Sequence, residues 1–188
     1  MYILKSSVKS YFTFHYGLGC AIGLILFCGY ILLLRKSKRD QGKSISWKEI
    51  LWGLLLSIYL VIILGGTILN REIDKEFDIK LIPFWSYYEV FAKHKKELVL
   101  QMVGNILVFI PLGILLPQGW DRIRNIHWVM LSAVCVSLSL ELGQLIFRLG
   151  LFEFDDVFHN TLGTVFGYVM WRLATRKSLL RERRCTVD

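Results

Sequence analysis

Acidic and amide side chains stand inside the most apolar part of this sequence, between Glu141 and Gly167. Glu141 and Gln144 are three residues apart, and Asp156 and Asn160 are four apart, so each pair lies on one face of a helix. Only about ten residues separate the two apolar runs, which predicts antiparallel neighbouring helices joined by a short loop. A carboxylate, two amides and one or two aspartates should therefore meet at one end of this helix pair.

The composition places these residues in a membrane protein. The 188 residues are 54% hydrophobic, and a mean hydropathy of +0.48 is too high for an ordinary soluble domain. Five apolar runs approach the roughly 20 residues that a helix needs to cross a hydrocarbon core about 30 Å thick. These runs are Phe12–Leu34, Ile50–Leu69, Leu98–Leu116, Trp128–Phe147 and Val157–Ala174. The sequence predicts an all-α, polytopic membrane helix bundle of about five transmembrane helices in a cell membrane.

The distribution of basic residues predicts the orientation and the segments of the chain. Lysine and arginine crowd the loop between Arg35 and Lys48 and recur after Arg172, which by the positive-inside rule makes both segments cytoplasmic. The N-terminus is then outside and the C-terminus in the cytoplasm. We expect a two-span region over residues 1–78, a core of three spans with an outer aromatic loop over 79–174, and a basic cytoplasmic tail over 175–188.

Charge and cysteine usage exclude several classes of function. The net charge of +8 comes from short segments that flank the spans, so membrane topology explains it and nucleic-acid binding is not expected. The four cysteines lack the spacing of a metal site or a disulfide framework. We expect no metal and no cofactor. The cysteines are Cys20, Cys28, Cys135 and Cys185.

The charged loop between the second and third spans is rich in aromatic side chains, which favour the membrane interface. They are Phe84, Trp85, Tyr87, Tyr88 and Phe91. Pro83 ends any helix that would run through this loop. Two interpretations stay open, an aromatic anchor without a ligand and a binding surface.

Three spans place polar groups at similar predicted depths. At about 1.5 Å per residue, Asn105, Glu141 and Asn160 lie roughly 10, 9 and 5 Å below the outer boundary. A central acidic side chain costs roughly 2.5–3.5 kcal/mol on insertion scales, so Glu141 needs a partner or a water-filled cavity. It could be functional, or protonated in a structural hydrogen bond with Asn105 or Gln144.

The candidate residues fall into three groups. The predicted ligand-binding residues are Asn105, Glu141, Gln144, Asp156 and Asn160. The possible contributors are Arg148, Asp155, Phe84 and Trp85. The predicted structural residues are Pro83, Pro111, Gly113, Gly163 and Gly167. We interpret Glu153 and Asp155 as solvated loop charges and His159 as a helix-end polar residue.

Three ordered motifs carry a resemblance to a known family. They are LIPF at Leu81–Phe84, NILVFIPLG at Asn105–Gly113, and E-x-x-Q followed by D-x-x-x-N-T-x-G from Glu141 to Gly163. In this order and spacing the chain resembles the VanZ-like membrane proteins over roughly residues 79–171. Many members place an arginine where Gly150 stands here, with Arg148 two residues earlier. If an arginine at this point pairs with the loop carboxylates, Arg148 would have to reach them from a shifted position.

The resemblance implies a part in lowered sensitivity to teicoplanin, a glycopeptide with a fatty tail. A pocket of carboxylates and amides under the aromatic loop could bind an amphiphile at the outer leaflet. The expected partners are membrane lipid and, beyond it, a lipoglycopeptide or an envelope precursor. The oligomeric state is not predicted.

Two other classes of function stay open. Glu141 and Asp156 could act as an acid and base pair on an envelope lipid or peptide, although no nucleophile, Ser-His pair or metal cluster accompanies them. Alternatively, the polar network could belong to a structural or transport-associated scaffold.

Overall fold

Helices dominate the structure, a computed structural model that describes the backbone of residues 2–69, 79–80, 82–149 and 152–185. Side chains are described for 17–68, 80, 82–120, 123–149 and 152–176. The helices are α1 (Tyr2–Arg39), α2 (Trp47–Leu64), α3 (Trp85–Lys93), α4 (Lys96–Gly119), α5 (Ile126–Phe147) and α6 (Phe154–Cys185). A π-helical turn over Gly65–Leu69 extends α2, and a 3-10 turn over Asp121–Arg124 precedes α5. Strands β1 (Ile79–Lys80) and β2 (Phe152–Glu153) pair in parallel.

Four helical segments within the described part of the chain are long and apolar enough to cross a membrane. They are Gly17–Arg39, Trp47–Ile68, Lys96–Gly119 and Ile126–Phe147. The prediction of an all-α, multi-pass membrane fold is confirmed. The fifth predicted span, Val157–Ala174, is helical within α6 but is less apolar, because His159, Asn160 and Arg172 interrupt it. The orientation of the termini stays a prediction.

The packing of α6 explains how a helix with these polar residues fits beside a span. α6 runs parallel to α4, since Glu153, just ahead of α6, contacts Gln101, and Thr164 contacts Phe109 further along both helices. The Tyr168 hydroxyl donates to the carbonyl oxygen of Arg124, beyond the end of α4. The part of α6 up to Tyr168 therefore lies alongside α4, which is long and apolar enough to cross a membrane.

Two compact units divide the chain at residues 72 and 73. In the first unit, a capping box begins α2: Glu49 accepts a hydrogen bond from the Ser46 amide at 2.8 Å, and Ser46 accepts one from the Lys48 amide. Glu49 also pairs with Lys38 at 2.6 Å across the turn. The loop is thus fixed at the point where α1 ends and α2 begins. The predicted boundary at residue 78 falls within 70–78, outside the described residues.

The second unit contains α3 to α6 and both strands. Pro83 lies in the turn before α3, and Pro111 lies inside α4. Helix α6 continues to Cys185, so the predicted tail begins within a helix.

Glycines allow α4 and α6 to touch through their backbones. A Cβ atom on Gly113 would overlap the Thr164 carbonyl oxygen, and one on Gly163 would overlap that of Ile106. Gly167 meets Ile110 in the same way. Small residues permit this close approach in membranes, where helices associate by packing rather than by the hydrophobic effect.

Replacing Gly113 by alanine should therefore destabilise the protein. The added methyl group forces the two backbones apart, and overpacking of this kind costs about 1–3 kcal/mol. We expect a lower thermal midpoint in detergent. Gly104→Ala is the matched control on the same helix, since its Cβ meets nothing within 4 Å, and alanine gains up to about 1 kcal/mol in a helix. Equal midpoints for the two variants would contradict the backbone contact.

Candidate functional site

Polar side chains collect where α4 begins, α5 ends and α6 begins. Glu141 on α5 is only 3% exposed, and its carboxylate accepts a hydrogen bond from the backbone amide of Glu153 at 3.2 Å. Because Glu153 ends strand β2, this bond ties α5 to the segment that leads into α6. Glu141 is therefore held in place by backbone as well as by helix packing.

Glu153 is buried, so its interpretation as a solvated loop charge is wrong. It is 8% exposed. Its carboxylate accepts a hydrogen bond from the side-chain amide of Gln101 at 3.4 Å and lies 3.6 Å from the Lys80 ammonium. The parallel pairing of Lys80 with Glu153 causes this burial, because it brings β1 against the loop. The paired residues are far apart in the sequence, so no local pattern could indicate the pairing.

Asp155 is also buried, and it fixes the aromatic loop. Its carboxylate accepts hydrogen bonds from the backbone amides of Phe84 at 2.7 Å and Ser86 at 2.8 Å. Phe84 begins α3 with φ at 62° and supplies no capping side chain of its own. Asp155, 4% exposed, therefore caps α3 from another helix, where the amide dipoles favour a negative charge. The prediction of a solvated charge is wrong here too.

Two further contacts bind α3 to α6. The Tyr87 hydroxyl lies 3.0 Å from His159 Nε2, and the Phe84 ring packs edge-on against Phe158 at 5.9 Å between centroids. His159 is 1% exposed, in the second turn of α6. It is thus a core residue rather than the helix-end polar residue that the sequence indicated.

Three aromatic rings at α3 stay largely exposed. Phe84, Tyr88 and Phe91 are 58%, 57% and 77% exposed. The Lys93 ammonium lies 5.5 Å from the centroid of the half-buried Trp85 ring. Asp155 and Tyr87 fix the backbone that carries these rings, which together we call the α3 platform: Phe84, Tyr88 and Phe91.

The buried carboxylate of Glu89 pairs with both lysines beside this platform. Its two oxygens pair with Lys93 at 2.5 Å and with Lys95 at 2.6 Å. The hydrogen bonds from Lys93 and Lys95 hold the pKa of Glu89 below its usual value. Glu89 thereby fixes the turn that joins α3 to α4.

The two asparagines lie one helical turn further from this end of the helices. Asn160 is 5% exposed and donates a hydrogen bond to the Ser137 hydroxyl at 2.8 Å, one helical turn before Glu141 on α5. Asn105 on α4 is half-buried, and its side-chain nitrogen has no hydrogen-bond partner among the described residues. The same holds for the Asn160 side-chain oxygen and for His159 Nδ1.

The remaining predicted residues lie at the same end of the unit. The Gln144 side chain is buried, and the backbone carbonyl oxygen of Gln144 accepts a hydrogen bond from the Leu149 amide at 2.8 Å as α5 ends. Asp156 is half-buried in the first turn of α6. Arg148 caps α5 with φ at 55°, is exposed, and forms no ion pair with the carboxylates that the structure describes.

Sequence reasoning missed several residues of this network. Ser137 precedes Glu141 by four residues, and Gln101 precedes Asn105 by four, so helical spacing contained the signal for both. Glu89 likewise precedes its partner Lys93 by four residues, whereas Tyr87 carried no such pattern.

Removing the Asp155 carboxylate should loosen α3. Asp155→Ala leaves two buried amides without an acceptor, and a hydrogen bond to a charged group contributes roughly 1.5–3 kcal/mol. We expect faster amide hydrogen exchange over residues 84–93 in the variant. Glu97→Ala, which removes an exposed carboxylate at the start of α4, is the control. Equal exchange in both variants would contradict the cap.

The Glu89 ion pairs should make α3 sensitive to acid. Because the folded pKa lies below the unfolded value, the stabilisation is fully present above the unfolded carboxyl pKa and is lost as the pH falls through the folded pKa. We expect hydrogen-exchange protection of α3 to fall with acidification in the unmutated protein. In Glu89→Gln the fall should be smaller, and the same pH dependence in both would show that Glu89 is not its source.

Comparison with known proteins agrees with the motifs. The VanZ/LLP1 family model matches residues 50–175 of this chain. Protein VanZ of Enterococcus faecium is 26% identical over 132 residues, which cover 65% of this chain and 74% of that protein. No solved structure matches the chain. The chain belongs to the VanZ/LLP1 family of multi-pass bacterial membrane proteins.

Proposed function

We propose that the protein lowers the sensitivity of a bacterial cell to teicoplanin-type lipoglycopeptides by binding an amphiphile at the outer leaflet. The amphiphile is the antibiotic itself or an envelope component with a similar fatty part. The observation that carries the proposal is the α3 platform, whose exposed rings stand over a buried layer of acids and amides.

The platform suits an acyl chain. A helix of nine residues is too short to cross a bilayer, and its rings lie just before the start of α4, which is long and apolar enough to cross one. Aromatic side chains favour such positions at the membrane interface. Its conformation is fixed beforehand by Asp155 and by the contact between Tyr87 and His159. A preformed aromatic surface loses little conformational freedom when an apolar chain packs on it.

The polar part of the ligand would meet the side chains beneath the platform. We propose that Asn105, Glu141, Gln144, Asp156 and Asn160 form this part of the site, with this end of the unit facing outward. The half-buried Asn105 and Asp156 and the adjoining Asn160 meet the ligand, while the buried Glu141 and Gln144 shape the site from beneath. Half-exposed lysines, Lys93 and Lys95, flank the approach. An amphiphile held there would be kept from its target.

Binding fits Glu141 better than catalysis does. A general acid or base must come within hydrogen-bond reach of the reacting group. Glu141 is 3% exposed and already accepts the Glu153 amide. Its geometry is that of a residue that shapes a site.

Antibiotic susceptibility tests the proposal. We expect Tyr88→Ala combined with Phe91→Ala to restore most of the teicoplanin sensitivity of a host without the protein. Each lost ring contact forfeits about 25 cal/mol for every Å² of apolar surface that the acyl chain no longer buries, so two losses should weaken binding several-fold or more. A glycopeptide without an acyl chain should show no difference.

Phe147→Ala is the matched control, because Phe147 is 61% exposed on α5 and lies outside the platform. Expression of every variant is checked by immunoblot. Unchanged teicoplanin sensitivity in the platform variant contradicts the proposal. Unchanged sensitivity in both Glu141→Ala and Asp156→Ala removes these two residues from the site, and co-purification of a partner protein with every variant favours a scaffold instead.

A further inference from the structure

We propose that α4 and α6 together bind a hydroxyl group between Asn105 and Asn160. The ligand is a hydroxyl that accepts a hydrogen bond from one amide and donates one to the other. The inference rests on the proposed function in one respect, since both residues belong to the proposed ligand-binding set, and it names the group they recognise.

The register of the two helices places these asparagines opposite each other. The Thr164 hydroxyl on α6 contacts the carbonyl oxygen of Phe109 on α4 at 3.5 Å. Because α4 and α6 run parallel, one turn toward the start of each helix brings Asn160 opposite Asn105. One further turn toward the start of α4, Gln101 contacts Glu153, which lies just ahead of α6. This contact limits the face that carries the two asparagines at its other end.

Both side chains keep a buried atom without a partner in the described residues. Asn105 retains its nitrogen, a donor, and Asn160 retains its oxygen, an acceptor. Asn160 is 95% buried, and its own nitrogen already bonds to Ser137. An unsatisfied buried polar atom is costly, and more so in lipid, so a group that satisfies both atoms is strongly favoured.

The complementary pair selects the chemistry of the ligand. A group between a donor and an acceptor must itself accept and donate, which a hydroxyl does and a carbonyl or an ammonium does not. The assignment of oxygen and nitrogen within an amide can be exchanged, yet a hydroxyl satisfies either arrangement. Carboxylates are excluded for the same reason when ionised, because they only accept.

Adjacent packing limits the ligand to a small group. Gly163 follows Asn160 by three residues, and its Cα lies so near the Ile106 backbone that a Cβ would overlap the carbonyl oxygen. The helices therefore cannot separate widely at Asn105, so any group between the two amides must be small. The half-buried Asn105 marks the side from which the group enters.

Two sources can supply this group, water and the hydroxyl of a polyol or sugar on an amphiphile. An experimental structure of the full chain in lipid, at a resolution that shows ordered water, tests the inference. We expect density within hydrogen-bond distance of both amides. A direct bond between Asn105 and Asn160, or no density between them, overturns the proposal.

Variants separate the site from its surroundings and identify the source. Asn105→Leu should remove the density, whereas Thr161→Val should keep it, since the Thr161 hydroxyl bonds within its own helix to Val157 at 2.7 Å. Lipid mass spectrometry of both purified variants follows. A hydroxylated lipid retained by Thr161→Val and lost from Asn105→Leu identifies an amphiphile, and isolated density without such a lipid identifies water.

A second readout serves if Asn105→Leu fails to fold. The milder Asn105→Ser shortens the side chain, so that it no longer reaches the proposed hydroxyl. It should therefore lower the thermal midpoint of unfolding more than Thr161→Val does. Equal midpoints would overturn the hydroxyl site. These outcomes are independent of teicoplanin sensitivity, so failure of the hydroxyl site and failure of the proposed function remain distinguishable.

Discussion

Backbone contact between α4 and α6 is the constraint on which the second unit depends. Lipid tails are as apolar as leucine, so two helices gain nothing in a membrane merely by hiding apolar side chains from water. Glycine on both helices lets dispersion contacts form between backbones instead, at Gly113, Gly163 and Gly167. This contact also keeps α6, with its buried histidine and asparagine, beside an apolar span.

The acidic residues near this contact act on backbone. Glu141 accepts the amide of Glu153, and Asp155 accepts two amides at the start of α3. Each carboxylate satisfies donors that helix ends and short strands leave without partners, and such donors are costly to bury. The acidic residues at this end of the unit therefore hold α3 in one orientation.

Sequence reasoning predicted the apolar helices and the shared end of their polar groups because both follow from local spacing. Helical periodicity is a property of neighbours three and four residues apart, which a sequence displays directly. The burial of Asp155 and Glu153 depends on β1 and α3, about seventy residues earlier, so no local pattern could indicate it. The place of α6 likewise follows from its neighbour α4, since its own apolarity is low.

The cap that Asp155 provides also bears on how the protein is made. Phe84 and Asp155 are 71 residues apart, so the first turn of α3 lacks its acceptor while the ribosome is still producing α4 and α5. Until α6 has been synthesised, those amides lack this carboxylate and need other acceptors. The fixed orientation of α3 is therefore acquired late in folding, after α6 has packed beside α4.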